Sequence, residues 1–181
     1  MVGNPSNLEI AETTIEGCYV ITFPENVDDR GFFFRKYCKA SFDFFGLNSR
    51  WLQTNLSYNV KKGTLRGFHY QKEPFGEVKL VTCVNGAIFD CIIDLRPESR
   101  SFMQTFGIEL HARNNRSIYI PTGVAHAYLT LQNESTVLYQ VSTEYTKHET
   151  AGIRFNDRKI SVKWPIKPIV ISEQDLLWED L

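Results

Sequence analysis

Residues 78–95, VKLVTCVNGAIFDCIIDL, constrain the fold more than any other stretch. Two runs rich in β-branched and apolar residues flank Asn85-Gly86, the pair that a type I′ hairpin turn favours because both central residues take positive φ. The pattern predicts that strands Val78–Val84 and Ala87–Leu95 pair across that turn. Similar short runs follow at 117–121 (SIYIP), 125–132 (AHAYLTLQ) and 136–143 (TVLYQVST), separated by the turn-forming TG and NES segments. Helical spacing is confined to 36–46 (KYCKASFDFFG). Thirteen Phe and eight Tyr against two Met add to the strand signal. The expectation is an all-β antiparallel sandwich or barrel, a jelly roll, with its mouth holding a ligand.

At 181 residues, with no repeat, low-complexity tract or linker, the chain reads as a single domain spanning 1–181, its first ten residues a loose arm. A formal charge of -1 with scattered basic residues argues against nucleic acid as a partner. No run approaches the ~20 apolar residues of a membrane helix. The start MVGNPSNLEI lacks a charged segment followed by an apolar one, so no membrane association and a cytoplasmic location are expected. Cys18, Cys38, Cys83 and Cys91 show no CxxC spacing, and the expectation is four free thiols.

The stretch GTLRGFHYQ, residues 63–71, carries the first chemical hint. Strand side chains alternate faces, so Arg66 and His69 point to opposite sides unless the strand is broken between them. Gly67 permits such a break, and bulges re-aim side chains beside active sites. Taken singly, each polar candidate also has an ordinary explanation: Arg66 as a solvated charge, His69 and His126 as hydrogen-bonded core histidines, Lys79 as an edge-strand guard, Tyr139 as aromatic packing. Together, two imidazoles, a phenol, an ammonium and a guanidinium are too polar for a purely structural barrel interior. That inventory suits proton transfer next to a carbonyl. A neutral histidine removes a carbon-bound proton, a cation steadies the enolate oxygen, and a phenol returns a proton from the other face, which epimerises the carbon. The histidine needs an orienting carboxylate, and the residues alone do not select which of the 21 acids supplies it. A metal site would need converging ligands, whereas His69, His111, His126 and His148 are isolated in sequence, so no metal is expected.

In order and spacing, DDRGFFF, WLQTNLSYN, GTLRGFHYQ, GEVKLVTCVNGAIFDCIIDLR, YIPTGVAHAYLTL, VLYQVSTEYT, KWP and ISEQD resemble the dTDP-4-dehydrorhamnose 3,5-epimerase family from about Thr14 to about Asp175. The resemblance implies a cupin-type jelly-roll homodimer, needing no metal or organic cofactor, that inverts centres flanking the C4 ketone of a nucleotide-linked 4-keto-6-deoxy sugar. It implies His69 as general base, Asp175 as its partner and Tyr139 as proton donor. Lys79, helped by Arg66 and His126, then steadies the enolate. It further implies a nucleotide-diphosphate subsite at Arg30, Gln53, Thr54 and Asn55, with Tyr145 also on the substrate, and Arg30 reaching the neighbouring subunit's ligand through exchanged N-terminal strands. Arginine suits a phosphate because its fork donates two hydrogen bonds.

The chain departs from that family at Arg35, where Glu is usual, at Gln140 after Tyr139, at Thr150 beside Glu149, and at Gln174 before Asp175. Relatives on this fold include enzymes inverting only C3 or only C5, and enzymes acting on CDP- or GDP-linked sugars, so the changed charges bear on substrate choice. Two other readings stay open: a jelly roll that holds a nucleotide sugar without catalysis, and a metal-dependent cupin oxygenase or isomerase.

Overall fold

The computed structural model describes residues 7–160 and 162–181. In chain order the strands and helices are β1 (Glu9–Glu12), β2 (Tyr19–Thr22), β3 (Asn26–Asp28), β4 (Gly31–Phe33), α1 (Lys39–Phe44), β5 (Gln53–Asn59), β6 (Leu65–Gln71), β7 (Lys79–Asn85), β8 (Ala87–Asp94), β9 (Thr105–His111), β10 (Arg116–Ile120), β11 (Val124–Thr130), β12 (Ser135–Val141), β13 (Thr150–Gly152) and α2 (Glu173–Leu177). A six-stranded sheet, β1-β2-β10-β7-β12-β5, faces a five-stranded one, β13-β6-β11-β8-β9, while β3 and β4 form a separate hairpin. Pairing within the two main sheets is antiparallel, and the architecture is the expected cupin-type jelly roll with a few short helices.

Between the sheets lies a core of Ile15, Val81, Ile88, Ile92, Leu110, Ile118, Ile120 and Val137, each no more than 1% exposed. A side chain so buried contributes about 1.5–3 kcal/mol each, which is how short strands hold two sheets together. A second cluster, with Phe68 and Ile93, packs behind the five-stranded sheet under Ile153, Ile160 and Trp164. A third sits behind the six-stranded sheet, where α1 delivers Phe42 onto Leu80 and Tyr119.

The structure corrects the expected hairpin. β7 lies between β10 and β12, and β8 between β11 and β9, so the two apolar runs belong to different sheets. Both are buried over most of their length, as central strands are. Asn85-Gly86 does reverse the chain, with Gly86 at φ +73°, but it carries the chain across the core instead of along one sheet. Ser135 fixes that corner, accepting from the Ala87 N–H and donating to the Ala87 carbonyl. The turn residues encode the reversal, and the two strands meet face to face through Val81, Ile88 and Ile92 in the core.

The helix is shorter than its sequence pattern because Tyr37 stays outside it, edge-on to Phe42 and Trp51, and Gly46 at φ +67° ends it with an N–H bond to the Asp43 carbonyl. Of the arm expected over the first ten residues, 1–6 lie outside the described residues. Leu8 is buried and Glu9–Ile10 open β1 against β2, so this part is not loose. The four cysteines are free thiols.

Candidate active site

The site begins with a phase change in β6. Facing β11, His69 pairs with His126 and Arg66 with Tyr128, so Gly67 and Phe68 together stand opposite Ala127 alone. Gly67 takes φ +105°, and a Cβ there would strike the His126 carbonyl and lie 2.8 Å from the Ala127 Cα. Phe68 turns outward and is fully buried behind the sheet, while Arg66 and His69 both turn into the cavity between the sheets. Only glycine has room and freedom for that step.

The cavity, about 520 Å³, draws Gln53, Asn55 and Ser57 from β5, Lys79 from β7, and Tyr139 and Val141 from β12. From the opposite sheet come Arg66, His69, Tyr70 and Gln71 of β6, with His126 and Tyr128 of β11. Glu77, Tyr145 and Thr150 complete it.

His69 leans on Asp175, with Nε2 to Oδ1 at 2.6 Å. A carboxylate only accepts, so in the neutral ring the proton sits on Nε2 and the lone pair on Nδ1, which has no protein partner among the described residues. Asp175 is 3% exposed and further accepts the Gly67 N–H on Oδ2 at 3.2 Å and the Trp178 indole N–H on Oδ1 at 3.3 Å. Burial pushes its carboxyl up. The hydrogen bond and charge of His69, with the Gly67 and Trp178 donors, outweigh that and hold it below the ordinary carboxylate value. The backbone that delivers it is α2, whose first turn is capped by Ser172 Oγ accepting from the Asp175 N–H.

A second histidine–aspartate pair stands beside the first: His126 Nε2 lies 2.8 Å from Oδ2 of the fully buried Asp90, whose Oδ1 has no protein partner among the described residues. Lys79 is 2.9 Å from Glu77 and donates to the His69 carbonyl at 3.3 Å, so the ammonium is anchored at the cavity wall next to the histidine strand. Arg66 is steadied by Asn59 at 2.9 Å. Tyr139 lines the same cavity from the other sheet. Burial raises its phenol, with Tyr128 and Glu77 adding to the effect, so it remains protonated and able to donate at neutral pH. An imidazole, a phenol, an ammonium and a guanidinium on one cavity can together move protons to and from a carbon next to a carbonyl.

Thus His69, Asp175, Lys79, Tyr139, Arg66, His126, Gln53, Asn55 and Tyr145 converge on one cavity or its wall. Two of the expected residues do not. Thr54 is exposed on the far face of β5, paired with Gln140, because alternate residues of a strand face opposite ways. Arg30 lies on the β3–β4 turn, 90% exposed and bonded to Asp28, away from the cavity. Ser57, Asn59, Tyr128, Glu77, Asp90 and Trp178 were not expected. The alternation Gln53, Asn55, Ser57 and the pair His126, Tyr128, each two apart, carried the signal for some of them. Of the departures, Thr150 lines the cavity, whereas Arg35 borders a separate small hollow with Cys38 and Phe33, and Gln174 is exposed. Among the described residues no group of three or more His, Cys, Asp or Glu is placed to hold a metal ion, and no helix is long and apolar enough to cross a membrane.

Comparison with known proteins gives that chemistry a family. The family model described as dTDP-4-dehydrorhamnose 3,5-epimerase matches residues 12–181. The dTDP-4-dehydrorhamnose 3,5-epimerase of Methanothermobacter thermautotrophicus is 36% identical over 174 residues, covering 94% of this chain and 92% of that protein. The crystal structure of the Bacillus anthracis enzyme of that name, with TDP and PPi bound, superposes with a TM-score of 0.93 at 34% identity, covering 96% and 99% of the two chains. A 4-keto-6-deoxy sugar epimerase from the novobiocin biosynthetic gene cluster of Streptomyces spheroides gives a TM-score of 0.91 at 31% identity, over 99% and 90%. The chain belongs to the dTDP-4-dehydrorhamnose 3,5-epimerase family and is an isomerase.

Proposed function

We propose that this protein epimerises a dTDP-linked 4-keto-6-deoxy sugar at C3, C5 or both, using only its own side chains. The observation that carries the reading is the cavity's two-sided build: a histidine held by a buried aspartate on one sheet, a protonated tyrosine on the other, and a lysine at the wall. His69 Nδ1 takes the proton from the carbon next to the C4 ketone. The resulting imidazolium is stabilised by Asp175, 2.6 Å away. Negative charge moves to the ketone oxygen, where Lys79 and Arg66 present donors; His126 beside them spends its Nε2–H on Asp90 and adds a donor from Nδ1 only as an imidazolium. Tyr139 delivers a proton to the opposite face of the same carbon, and inversion results. A positioned general base and acid contribute roughly 10²–10⁴-fold each.

Gln53, Asn55 and Tyr145 line the side of the cavity suited to the nucleotide. Arg30 completes the diphosphate subsite from a second copy of the chain, in a homodimer. Its guanidinium is exposed on an apolar hairpin, with Val27, Phe32 and Phe33 more than half exposed. That hairpin surface is what a partner subunit would cover.

The test is incubation with dTDP-4-keto-6-deoxyglucose in heavy water, reductive trapping, and location of deuterium by mass spectrometry. Deuterium at C3 and C5 identifies double epimerisation, and at one of them a single-site enzyme. A folded protein that incorporates none overturns the reading. His69→Ala is expected to abolish exchange, whereas Tyr139→Phe keeps part of the wash-out and loses product.

A further inference from the structure

Nothing in the reaction outlined above uses Trp178, yet its indole touches the centre of the site. Its N–H donates to Asp175 Oδ1 at 3.3 Å, the same oxygen that holds His69 at 2.6 Å. Its ring stands edge-on to the imidazole, at 6.3 Å between centroids and 68° between planes. On its other side lies Gly152, the β13 residue paired with His69, where any Cβ would run into the indole. The backbone beyond Trp178 is tied down as well. Arg154 N–H donates to the Glu179 carbonyl at 3.4 Å, Leu181 N–H donates to the buried Asp157 at 2.6 Å, and Lys159 bonds the Leu181 carbonyl. Residues 175–181 therefore form a clasp that bears on the five-stranded sheet at the strand carrying His69.

We propose that Trp178 is a positioning residue for the His69–Asp175 pair, and that the clasp around it makes the segment after α2 part of the active site. A carboxylate held only by the Gly67 N–H and His69 has freedom to rotate about its Cβ–Cγ bond, and each rotation moves the oxygen that fixes the imidazole. The indole N–H pins Oδ1 from the side, and its ring blocks the imidazole from swinging towards β13. One rotamer of Asp175 then selects one tautomer of His69, with the lone pair on Nδ1 facing the cavity. The inference deepens the reading of His69 as the base, and rests on it for its effect on rate.

The test uses the full chain with Trp178→Phe, which keeps an aromatic ring against Gly152 and removes the N–H. Turnover is expected to fall about tenfold with KM moving less than about twofold, the pattern of a lost hydrogen bond to a charged group that acts on the chemical step. In ¹⁵N NMR the His69 ring is expected to change from a single Nε2–H tautomer to a mixture. Gly152→Ala, which displaces the indole without altering it, is expected to reproduce both changes. A parent-like rate with a single tautomer in Trp178→Phe overturns the proposal, as does a slower enzyme whose His69 spectrum is unchanged. A mixed tautomer with an unchanged rate upholds the positioning and overturns His69 as the base.

Discussion

At the scale of single residues, the site depends on which atom of which side chain carries a proton. Asp175 is the clearest case, since its two oxygens can only accept while His69, Gly67 and Trp178 all donate to it. Asp175→Asn keeps the shape and reverses part of the pattern, because an amide N–H directed at Nε2 favours the imidazole tautomer with its proton on Nδ1. Under the proposed mechanism His69 then presents a proton where a base needs a lone pair. Loss of epimerase turnover on the order of 10²–10⁴-fold is expected, with nucleotide-sugar binding retained, measurable by comparing rate with calorimetric affinity. The same carboxyl gives an acid-side signature. Its folded-state proton affinity is depressed, so its contribution to stability is present above the ordinary carboxylate value and is lost as pH falls through the folded one. His69, Lys79 and Tyr139 stood out in the sequence as polar residues in apolar runs, whereas Asp175 was indicated only by the family resemblance. The sequence disclosed Trp178 and Asp90 poorly, because an indole or a carboxylate that serves another side chain looks in sequence like packing or surface.

At the scale of elements, strand existence was legible and strand partnership was not. Period-two patterning and turn residues located β7, β8, β10, β11 and β12 to within a few residues, since those signals depend on neighbours in the chain. Pairing depends on which runs are buried on both faces and on the sandwich as a whole, and so Asn85-Gly86 turned out to join two sheets. The break in β6 was legible from the odd spacing of Arg66 and His69 around a glycine. Two glycine variants separate strain from space. Gly31, at φ +128°, has nothing among the described residues within 4 Å of where a Cβ would stand, whereas Gly67, at φ +105°, has backbone atoms of β11 in the way. Gly31→Ala is expected to cost roughly 1–2 kcal/mol of backbone strain. Gly67→Ala is expected to cost roughly 2–4 kcal/mol and to silence the enzyme, because relieving the clash moves β6 off β11 and rotates Arg66 and His69 away from each other. Urea denaturation of both variants, alongside turnover, checks the order.

At the scale of the whole molecule, two packed sheets impose a common condition on three of the four thiols, and this has a measurable consequence in base. Cys18 and Cys83 sit in the core between the sheets and Cys91 in the cluster behind one of them. Burial pushes Cys18 and Cys91 up to about 12 and Cys83 up to about 11. In the unfolded chain such thiols ionise near their ordinary value of about 8.5. Between that value and about 11 the unfolded state has lost protons that the native state keeps, so stability falls as pH rises, by up to about 1.4 kcal/mol per pH unit for each thiol. Lys36 works the other way. Its ammonium lies 4.9 Å from the Phe23 ring centre and 4.5 Å from that of Phe34, and burial lowers it to about 8. From there to the ordinary lysine value of about 10.4 the unfolded chain holds the extra proton, so this residue adds stability as pH rises. The lysine offsets one of the three thiols, so the parent protein is predicted to lose stability with rising pH by up to about 2.8 kcal/mol per pH unit. Lys36→Met removes the one compensating group, and the decline between pH 8 and 10 is expected to steepen by up to about 1.4 kcal/mol per pH unit, less in proportion to the water that still reaches the amine. Urea unfolding at pH 8, 9 and 10 measures it, and parallel curves for the two proteins would show that the Phe23–Phe34 site does not depress the lysine.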